Sequence, residues 1–138
     1  MSFTIDDSQF QVVTNKIMPA VNAAARVAMQ AAVDDLERIA TNIAPIDKGQ
    51  LRRSATKKVS GKTKITGEVA FSAVETSPGY GPFNYALWTH EASYTPSHSG
   101  GTDGYAIGNK YLSRPLYGEV EKYFRWWAEG VQKGWEGR

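Results

Sequence analysis

The sequence predicts an α+β domain in which one long helix near each end covers a small, hairpin-based antiparallel sheet, with a short helix and a long loop in between. Two stripes of apolar residues at spacings of three and four predict the long helices, and a period-two alternation in mid-chain predicts the sheet. At 138 residues the chain is long enough to bury one core. We interpret residues 1–15 as an N-terminal arm, or an edge strand, and residues 16–138 as a single domain.

The N-terminal helix is predicted from Lys16 to Ala44. Pro19 falls in its first turn, where backbone N–H groups have no helical acceptor, and Pro45 ends it, because the residue before a proline avoids the α region. Alanine is frequent here, either because small side chains let another element approach closely or because alanine is the best helix former. The predicted buried stripe is Ile17, Val21, Ala25, Ala28, Ala32, Leu36, Ile39 and Ile43.

Two strands are predicted after a turn at residues 45–49, one from Leu51 to Ser60 and one from Thr63 to Val74. Gly61-Lys62 lies between them and indicates a hairpin turn. On the second strand the apolar residues share one parity, which suits a strand with one buried face. These residues are Ile65, Val69, Phe71 and Ala73.

The second half of the chain predicts a loop, a short helix, a longer loop and a long helix. Residues 75–84 contain two prolines and two glycines and are predicted to be a loop, and residues 85–91 are predicted to form two helical turns. Residues 92–109 lack a periodic apolar pattern and predict a flexible loop, of a length that is often functional or ordered on binding. The last helix is predicted from Arg114 to Trp135, with Pro115 in its first turn. Its predicted stripe is Leu116, Val120, Phe124, Trp127, Val131 and Trp135.

Basic residues are concentrated in one short segment. Residues 47–64 carry seven of them and one acidic residue, whereas residues 65–100 carry no Lys or Arg and three Glu. The segment can attract phosphate or an acidic partner surface. The alternative is a solvated strand whose lysines discourage edge pairing. The basic residues are Lys48, Arg52, Arg53, Lys57, Lys58, Lys62 and Lys64.

Composition excludes several classes of protein. The chain has no cysteine, which rules out a disulfide framework, a thiolate zinc site and a cysteine nucleophile. It has no apolar run of about 18 residues, so we expect no membrane span, and no basic and apolar leader, so we expect synthesis in the cytoplasm.

Catalytic and metal patterns are weak, and we expect no enzyme activity, metal site or cofactor. Residues 60–63 read SGKT but lack the earlier glycine and the following helix of a phosphate-binding loop. His90 and His98 do not stand at metal-ligand spacing. Because adjacent helical residues point about 100° apart, Glu91 is not expected to orient His90, which we interpret as a surface or interface histidine.

Residues 44–54 read APIDKGQLRRS between the first helix and the predicted hairpin. This segment resembles the A-P-x-D-x-G-x-L-R-x-S signature of small neck and tail-completion proteins of long-tailed bacteriophages, which are also described as minor capsid proteins. Residues 85–91, YALWTHE, are similar to the Y-A-x-x-x-H/V-E helix of that family. Residues 108–116 are similar to the entry to its last helix. The signature positions are Pro45, Asp47, Gly49, Leu51, Arg52 and Ser54.

The signature also has a reading from its residue types alone. Asp47 and Gly49 suit a turn, since a short carboxylate can bond its own backbone and glycine supplies a positive φ. Leu51 then starts the strand and anchors it to the core. Arg52 and Ser54 point to the opposite face, where Arg52 can bind a carboxylate of a neighbouring subunit or one of its own chain.

The resemblance implies a non-enzymatic structural protein of the virion at the head–tail junction. Such proteins form rings, of six or twelve copies, that join a head-completion or neck protein to the tail tube or tail-terminator protein. It also implies that the basic hairpin (Lys48, Arg53, Lys57, Lys58, Lys62 and Lys64) faces the DNA channel, with nonspecific contact to packaged DNA, or faces an acidic subunit edge.

Aromatic residues are enriched at protein–protein contacts, and this chain has four Trp and seven Tyr. Trp126 lies off the main apolar stripe, which suits either a partner contact or a second buried position. The alternative functions are a small DNA-binding module that uses the basic hairpin and a small hydrolase. The candidate interface residues are Arg52, Tyr85, Trp88, His90, Glu91, Tyr94, Tyr105, Tyr111, Trp126 and Trp135.

Overall fold

A three-stranded antiparallel sheet and smaller hairpins pack against two long helices that lie along each other. The computed structural model describes residues 2–6, 19–46, 49–62, 64–77, 81–96 and 98–136. The helices are α1 (Pro19–Ile43), α2 (Gln50–Arg53), α3 (Tyr85–Glu91) and α4 (Ser113–Glu136). The strands are β1 (Ser2–Asp6), β2 (Thr56–Ser60), β3 (Thr66–Ala70), β4 (Val74–Ser77), β5 (Gly81–Asn84), β6 (Gly101–Thr102) and β7 (Tyr105–Ala106). The predicted α+β class is confirmed.

The sheet has the order β1–β3–β2, and both outer strands run antiparallel to β3. Part of the predicted N-terminal arm is therefore an edge strand. One face packs on α1, where a Cβ on Gly67 would come within 2.6 Å of Val33 Cγ1 and 2.7 Å of Met29 Sδ. All four residues predicted for the buried parity of the second strand are buried, although β3 itself is shorter than predicted.

The helix α1 is described from Pro19, and Lys16 and Ile17, at the predicted start, lie outside the described residues. The other seven residues of its predicted stripe are all buried. Its alanines let α4 approach closely: a Cβ added to Gly134 would lie 2.8 Å from Ala24 Cβ, and one added to Gly130 would lie 3.3 Å from Ala28 Cβ. The first of the two explanations for the alanines therefore applies.

The predicted buried stripe of α4 is partly wrong. Its buried residues are Pro115 and Tyr123, while Phe124 and Trp135 are 40% and 45% exposed. Gly130 and Gly134 of α4 lie against α1. The large apolar side chains of α4 therefore lie to one side of this contact. The other members of the stripe, Leu116, Val120, Trp127 and Val131, are half-buried.

The predicted first strand is wrong over residues 51–53, which form the single turn α2. Gly49, at φ 75°, reverses the chain, and its carbonyl accepts the Arg53 N–H at 3.1 Å. The strand β2 begins only at Thr56. Because residues 51–60 begin with a helical turn and continue as a strand, the apolar residues of this segment follow two different periods.

The predicted loops contain hairpins that the sequence interpretation missed. Strands β4 and β5 pair across residues 75–84, with Pro82 opposite Thr76 at a sheet edge, where its missing N–H is tolerated. Strands β6 and β7 lie within the segment 92–109, joined by Asp103 and Gly104 at φ 54° and 85°, as a two-residue turn requires. The ordering of this segment on neighbours stays a prediction.

A charged cluster joins the β6–β7 turn and both long helices. Arg38 Nη1 and Nη2 donate to the two Asp103 oxygens at 3.1 and 2.9 Å, and Nη2 also donates to Asp35 at 2.9 Å. From α4, Lys122 Nζ and Tyr123 OH donate to Asp35 Oδ2 at 2.8 and 2.9 Å. Burial alone would raise the pKa of Asp35, but these hydrogen bonds hold it below its ordinary value. Sequence analysis missed the cluster because its members lie up to 88 residues apart.

Candidate interaction surface

The signature segment 44–54 binds its own chain. Arg52 Nε donates to the Ala44 carbonyl and Arg52 Nη2 to the Asn42 carbonyl, both at 2.9 Å. Asn42 lies in the last turn of α1 and Ala44 directly follows it, where the C-terminal C=O groups of a helix have no helical donors. Partial burial lowers the pKa of Arg52. Among the described residues no carboxylate pairs with Arg52, because α2 directs its side chain onto the end of α1 instead of out from a strand. A contact of Arg52 with a neighbouring subunit stays a prediction.

The remaining signature residues also stabilise the fold. Leu51 is buried in the main core. Ser54 Oγ donates to the Leu51 carbonyl at 2.6 Å and accepts the Ser72 N–H at 3.2 Å, which joins α2 to the end of β3. Pro45 is half-buried, and Asp47 lies outside the described residues.

We expect Arg52→Ala to lower the free energy of unfolding by about 1.5–3 kcal/mol, because it removes two hydrogen bonds from a charged donor. Arg52→Lys should recover only part of this loss, since an ammonium does not reproduce the fork. Arg125→Ala, at an exposed position of α4, is the matched control and should change stability by less than about 0.5 kcal/mol. Urea denaturation of the three variants measures the difference, and equal losses for Arg52→Ala and Arg125→Ala would contradict the capping role.

The basic hairpin is divided between two faces of the sheet. Lys57 Nζ lies 3.0 Å from Asp34 Oδ1 and 3.8 Å from Glu37 Oε2 of α1, and the bond to Asp34 raises the pKa of Lys57. Lys58 occupies the alternate row and stands opposite Glu68 of β3. Arg53, Lys58, Lys62 and Lys64 are exposed, and Lys48 lies outside the described residues. The structure therefore does not bring all the basic residues together.

An exposed apolar surface lies on α3. Leu87 and Trp88 are 45% and 53% exposed. Trp88 stacks on Tyr94, with ring centroids 5.8 Å apart and an interplanar angle of 8°, and Tyr94 OH donates to the Thr89 carbonyl at 2.6 Å. Burial raises the pKa of Tyr94 to about 12. Asn84 caps the helix by accepting the Leu87 N–H at 2.9 Å. We call Leu87, Trp88 and Tyr94 the α3 patch.

His90, on the same helix as the patch, is buried, and the prediction of a surface histidine is wrong. Its Nδ1 lies 2.8 Å from Glu91 Oε1, its Nε2 accepts the Ser113 N–H at 3.3 Å, and its ring meets Tyr111 edge to face. Glu91 does orient His90, because the longer glutamate side chain reaches back to the ring despite the different directions of the two Cβ atoms. Glu91 also pairs with Lys110, which lowers the pKa of Glu91. Since Nε2 already accepts a backbone N–H, this pair orders the junction between α3 and α4.

The other candidate interface residues have mixed positions. Tyr111 is fully buried, its OH donating to the Ala86 carbonyl at 2.7 Å, so it contributes to the core and not to a surface. Trp135 is 45% exposed. Tyr85, Tyr105 and Trp126 are half-buried beside the main core. Trp126 faces Lys122, whose Nζ lies 5.0 Å from its ring centroid.

Sequence analysis missed Leu87 as part of the α3 patch. Its apolar character is a weak signal, because only the position of α3 on the core shows which apolar residues stay outside. His98, by contrast, is exposed, as expected for a polar loop.

Within the described ranges, no group of three or more His, Asp or Glu side chains is placed to hold a metal ion. No helix in that part of the chain is long and apolar enough to span a membrane. No protein-family model matches the sequence, and neither a curated protein nor a solved structure matches it.

Proposed function

We propose that the chain is a structural component of a bacteriophage particle at the head–tail junction. It assembles as a ring, of six or twelve copies, between the head-completion or neck protein and the tail tube or tail-terminator protein. The observation that carries this proposal is the α3 patch, where Leu87 and Trp88 are exposed and Trp88 stacks on Tyr94. Exposed aromatic side chains held in one conformation are typical anchors of protein–protein interfaces.

The signature segment supports the proposal through the fold. Arg52 caps α1, Gly49 turns the chain at positive φ and Leu51 enters the core. Four of the six signature residues, Gly49, Leu51, Arg52 and Ser54, therefore have a structural reason to stand at their positions, which is the behaviour expected of a motif that identifies one fold. The contacts with neighbours are then made by other surfaces, and the α3 patch is an exposed apolar surface of this kind.

The surroundings of two lysines of β2 also favour this function over a DNA-binding module. Lys57 is held by two carboxylates of α1, and Lys58 stands opposite Glu68. A surface that binds duplex phosphates gains affinity from cations that release counterions on binding. Because Lys57 is already paired with these carboxylates, it contributes less to phosphate binding than its place in the basic segment indicates.

The test is to localise the chain in phage particles and to remove it. We expect labelling of a tagged chain at the junction between head and tail, and we expect a nonsense mutant to yield filled heads and complete tails that remain unjoined. Tailed, infectious particles from the nonsense mutant, or labelling absent from the particle, would overturn the proposal.

A Trp88→Ser variant, supplied in trans to the nonsense mutant, tests the patch itself. Loss of a central aromatic anchor costs about 2 kcal/mol or more of binding energy, so we expect incorporation into particles to fall at least about tenfold. Tyr117→Ser is the matched control, because Tyr117 is a 72% exposed aromatic residue of α4 away from the patch. Circular dichroism should show both variants folded. Equal incorporation of the two variants would remove the patch from the interface.

A further inference from the structure

Both edges of the three-stranded sheet are open within the described part of the chain. Strands β1 and β2 are the outer strands, and no further described strand pairs with either of them. Each pairs with β3 over five consecutive residues without a bulge, and neither contains a proline. Bulges and prolines are devices by which proteins block edge pairing, so the backbone of each edge is able to accept another strand.

The two edges carry opposite charge. Strand β1 ends in Asp6 and has no basic residue, whereas β2 contains Lys58, in the row that faces away from α1, and is followed by Lys62. Two copies of β2 placed edge to edge in antiparallel register would set Lys58 against Lys58, and like charges directly opposite each other are destabilising. The charges therefore disfavour a symmetric β2–β2 contact and favour a contact between unlike edges.

The two edge strands also run in the same direction. Ser2 and Thr56 both stand opposite Ala70, while Asp6 and Ser60 both stand opposite Thr66. If the next copy continues the sheet, its β1 lies parallel to β2. In an unstaggered register its Asp6 then comes level with Ser60, between Lys58 and Lys62. The charges of the two edges and the directions of their strands therefore both favour a parallel contact between β1 of one copy and β2 of the next.

The faces of the sheet are compatible with this extension. Lys57 bonds to α1 and Gly67 packs on it, so their row faces the helix. The alternate row of β2 and β3 faces away from α1 and consists mostly of polar residues, which require no apolar cover. These are Thr56, Lys58, Ser60, Thr66, Glu68 and Ala70.

We propose that β1 of one copy pairs with β2 of the next copy, so that the sheet continues from subunit to subunit. The contact joins two different surfaces head to tail, and such contacts generate closed rings when the rotation between copies closes. The inference rests on the ring assembly proposed above and names the contact that forms it.

The absence of cysteine allows a direct cross-linking test. In the otherwise unchanged chain, Ser2→Cys and Thr56→Cys introduce thiols at one register position of the sheet, one at each edge, and leave Asp6 and Lys58 in place. The purified double variant is treated with an oxidant that forms disulfides. A disulfide requires Cα atoms within about 7 Å of each other, so the two thiols of one chain, which β3 keeps about 10 Å apart, do not bridge each other. We expect a ladder of covalent oligomers up to the size of the ring, while either single variant stops at the dimer. Thr56→Cys combined with Glu121→Cys, at an exposed position of α4, is the control and should form no ladder.

Native mass spectrometry of the same samples separates the two proposals. Rings without a ladder would overturn the edge contact and leave the head–tail function standing. Monomers without a ladder at every concentration would overturn the edge contact as well, and particle labelling would then decide the function independently.

A charge exchange provides the second measurement, because it does not depend on the reagent. Lys58→Glu and Asp6→Lys should each reduce ring formation at least tenfold, and the double variant should restore it. Two single variants that assemble like the unchanged chain would contradict the edge contact.

Discussion

Replacing Gly61 with alanine is expected to lower the free energy of unfolding by about 3–5 kcal/mol, among the largest effects of any single substitution in this chain. Gly61 follows β2 and has φ of 100°, a conformation that side chains with a Cβ rarely adopt. A Cβ there would also collide with the backbone carbonyl of Lys64. Because the obstacle is backbone, the turn between β2 and β3 has to open before alanine fits.

Gly104 provides a control at a similar φ. It has φ of 85° in the β6–β7 turn, but a Cβ there would have no heavy atom within 4 Å. Gly104→Ala should therefore cost only the backbone strain, about 1–2 kcal/mol. Urea denaturation monitored by circular dichroism compares the two variants. A Gly61→Ala variant no less stable than Gly104→Ala would show that the collision does not determine the turn.

The glycine turns show which features of the fold a sequence can predict. Gly61, in the predicted hairpin turn, has a positive φ, a local property that its residue type allows. The stripe of α1 was equally predictable, because one helix face packs on both the sheet and α4 and so is buried over its whole length. Local conformation and a fully buried face both leave a clear sequence pattern.

The errors arise where packing between distant residues determines the outcome. The stripe of α4 was predicted from its large apolar residues, but Gly130 and Gly134 make the close contact with α1. A prediction from the spacing of apolar side chains takes no account of glycine, so it assigned the buried face of α4 to the wrong side of the helix. The β4–β5 hairpin was missed for a related reason, since prolines and glycines that usually indicate a loop occupy an edge position here.

The residue types of the candidate interface could be predicted from the sequence, but the directions of their side chains could not. The sequence indicated Trp88 and Tyr94 as interface aromatics, and Trp88 is exposed on the α3 patch. It also indicated Arg52 for a carboxylate of a neighbour or of its own chain, but α2 turns that side chain onto backbone carbonyls at the end of α1. Whether a polar residue of the signature segment faces a partner or its own helix end depends on one turn of backbone, which residue composition does not determine.

His90 is expected to make the protein less stable as the pH falls below about 6.5, the ordinary pKa of histidine. In the folded chain Nε2 accepts the Ser113 N–H and Nδ1 faces Glu91, so the ring is neutral and donates from Nδ1. Burial lowers the pKa of His90, and the charges of Lys110 and Arg114 act in the same direction, whereas Glu91 opposes them. The unfolded chain therefore binds a proton at a higher pH than the folded chain. The contribution of neutral His90 to the free energy of unfolding is complete above pH 6.5 and is lost as the pH falls below it.

Thermal unfolding between pH 7.5 and 5.5 tests this expectation with two matched substitutions. His90→Gln should lower the melting temperature at pH 7.5 and flatten its dependence on pH, because the amide oxygen can accept the Ser113 N–H but does not titrate. His98→Gln should keep the pH dependence of the unchanged chain, because His98 is exposed. The carboxylates of Asp35 and Asp103 have lowered pKa values and titrate below this window, so they affect all three proteins alike. A His90→Gln variant that remains as sensitive to acid as the His98→Gln variant would mean that protonation of His90 does not open the α3–α4 junction.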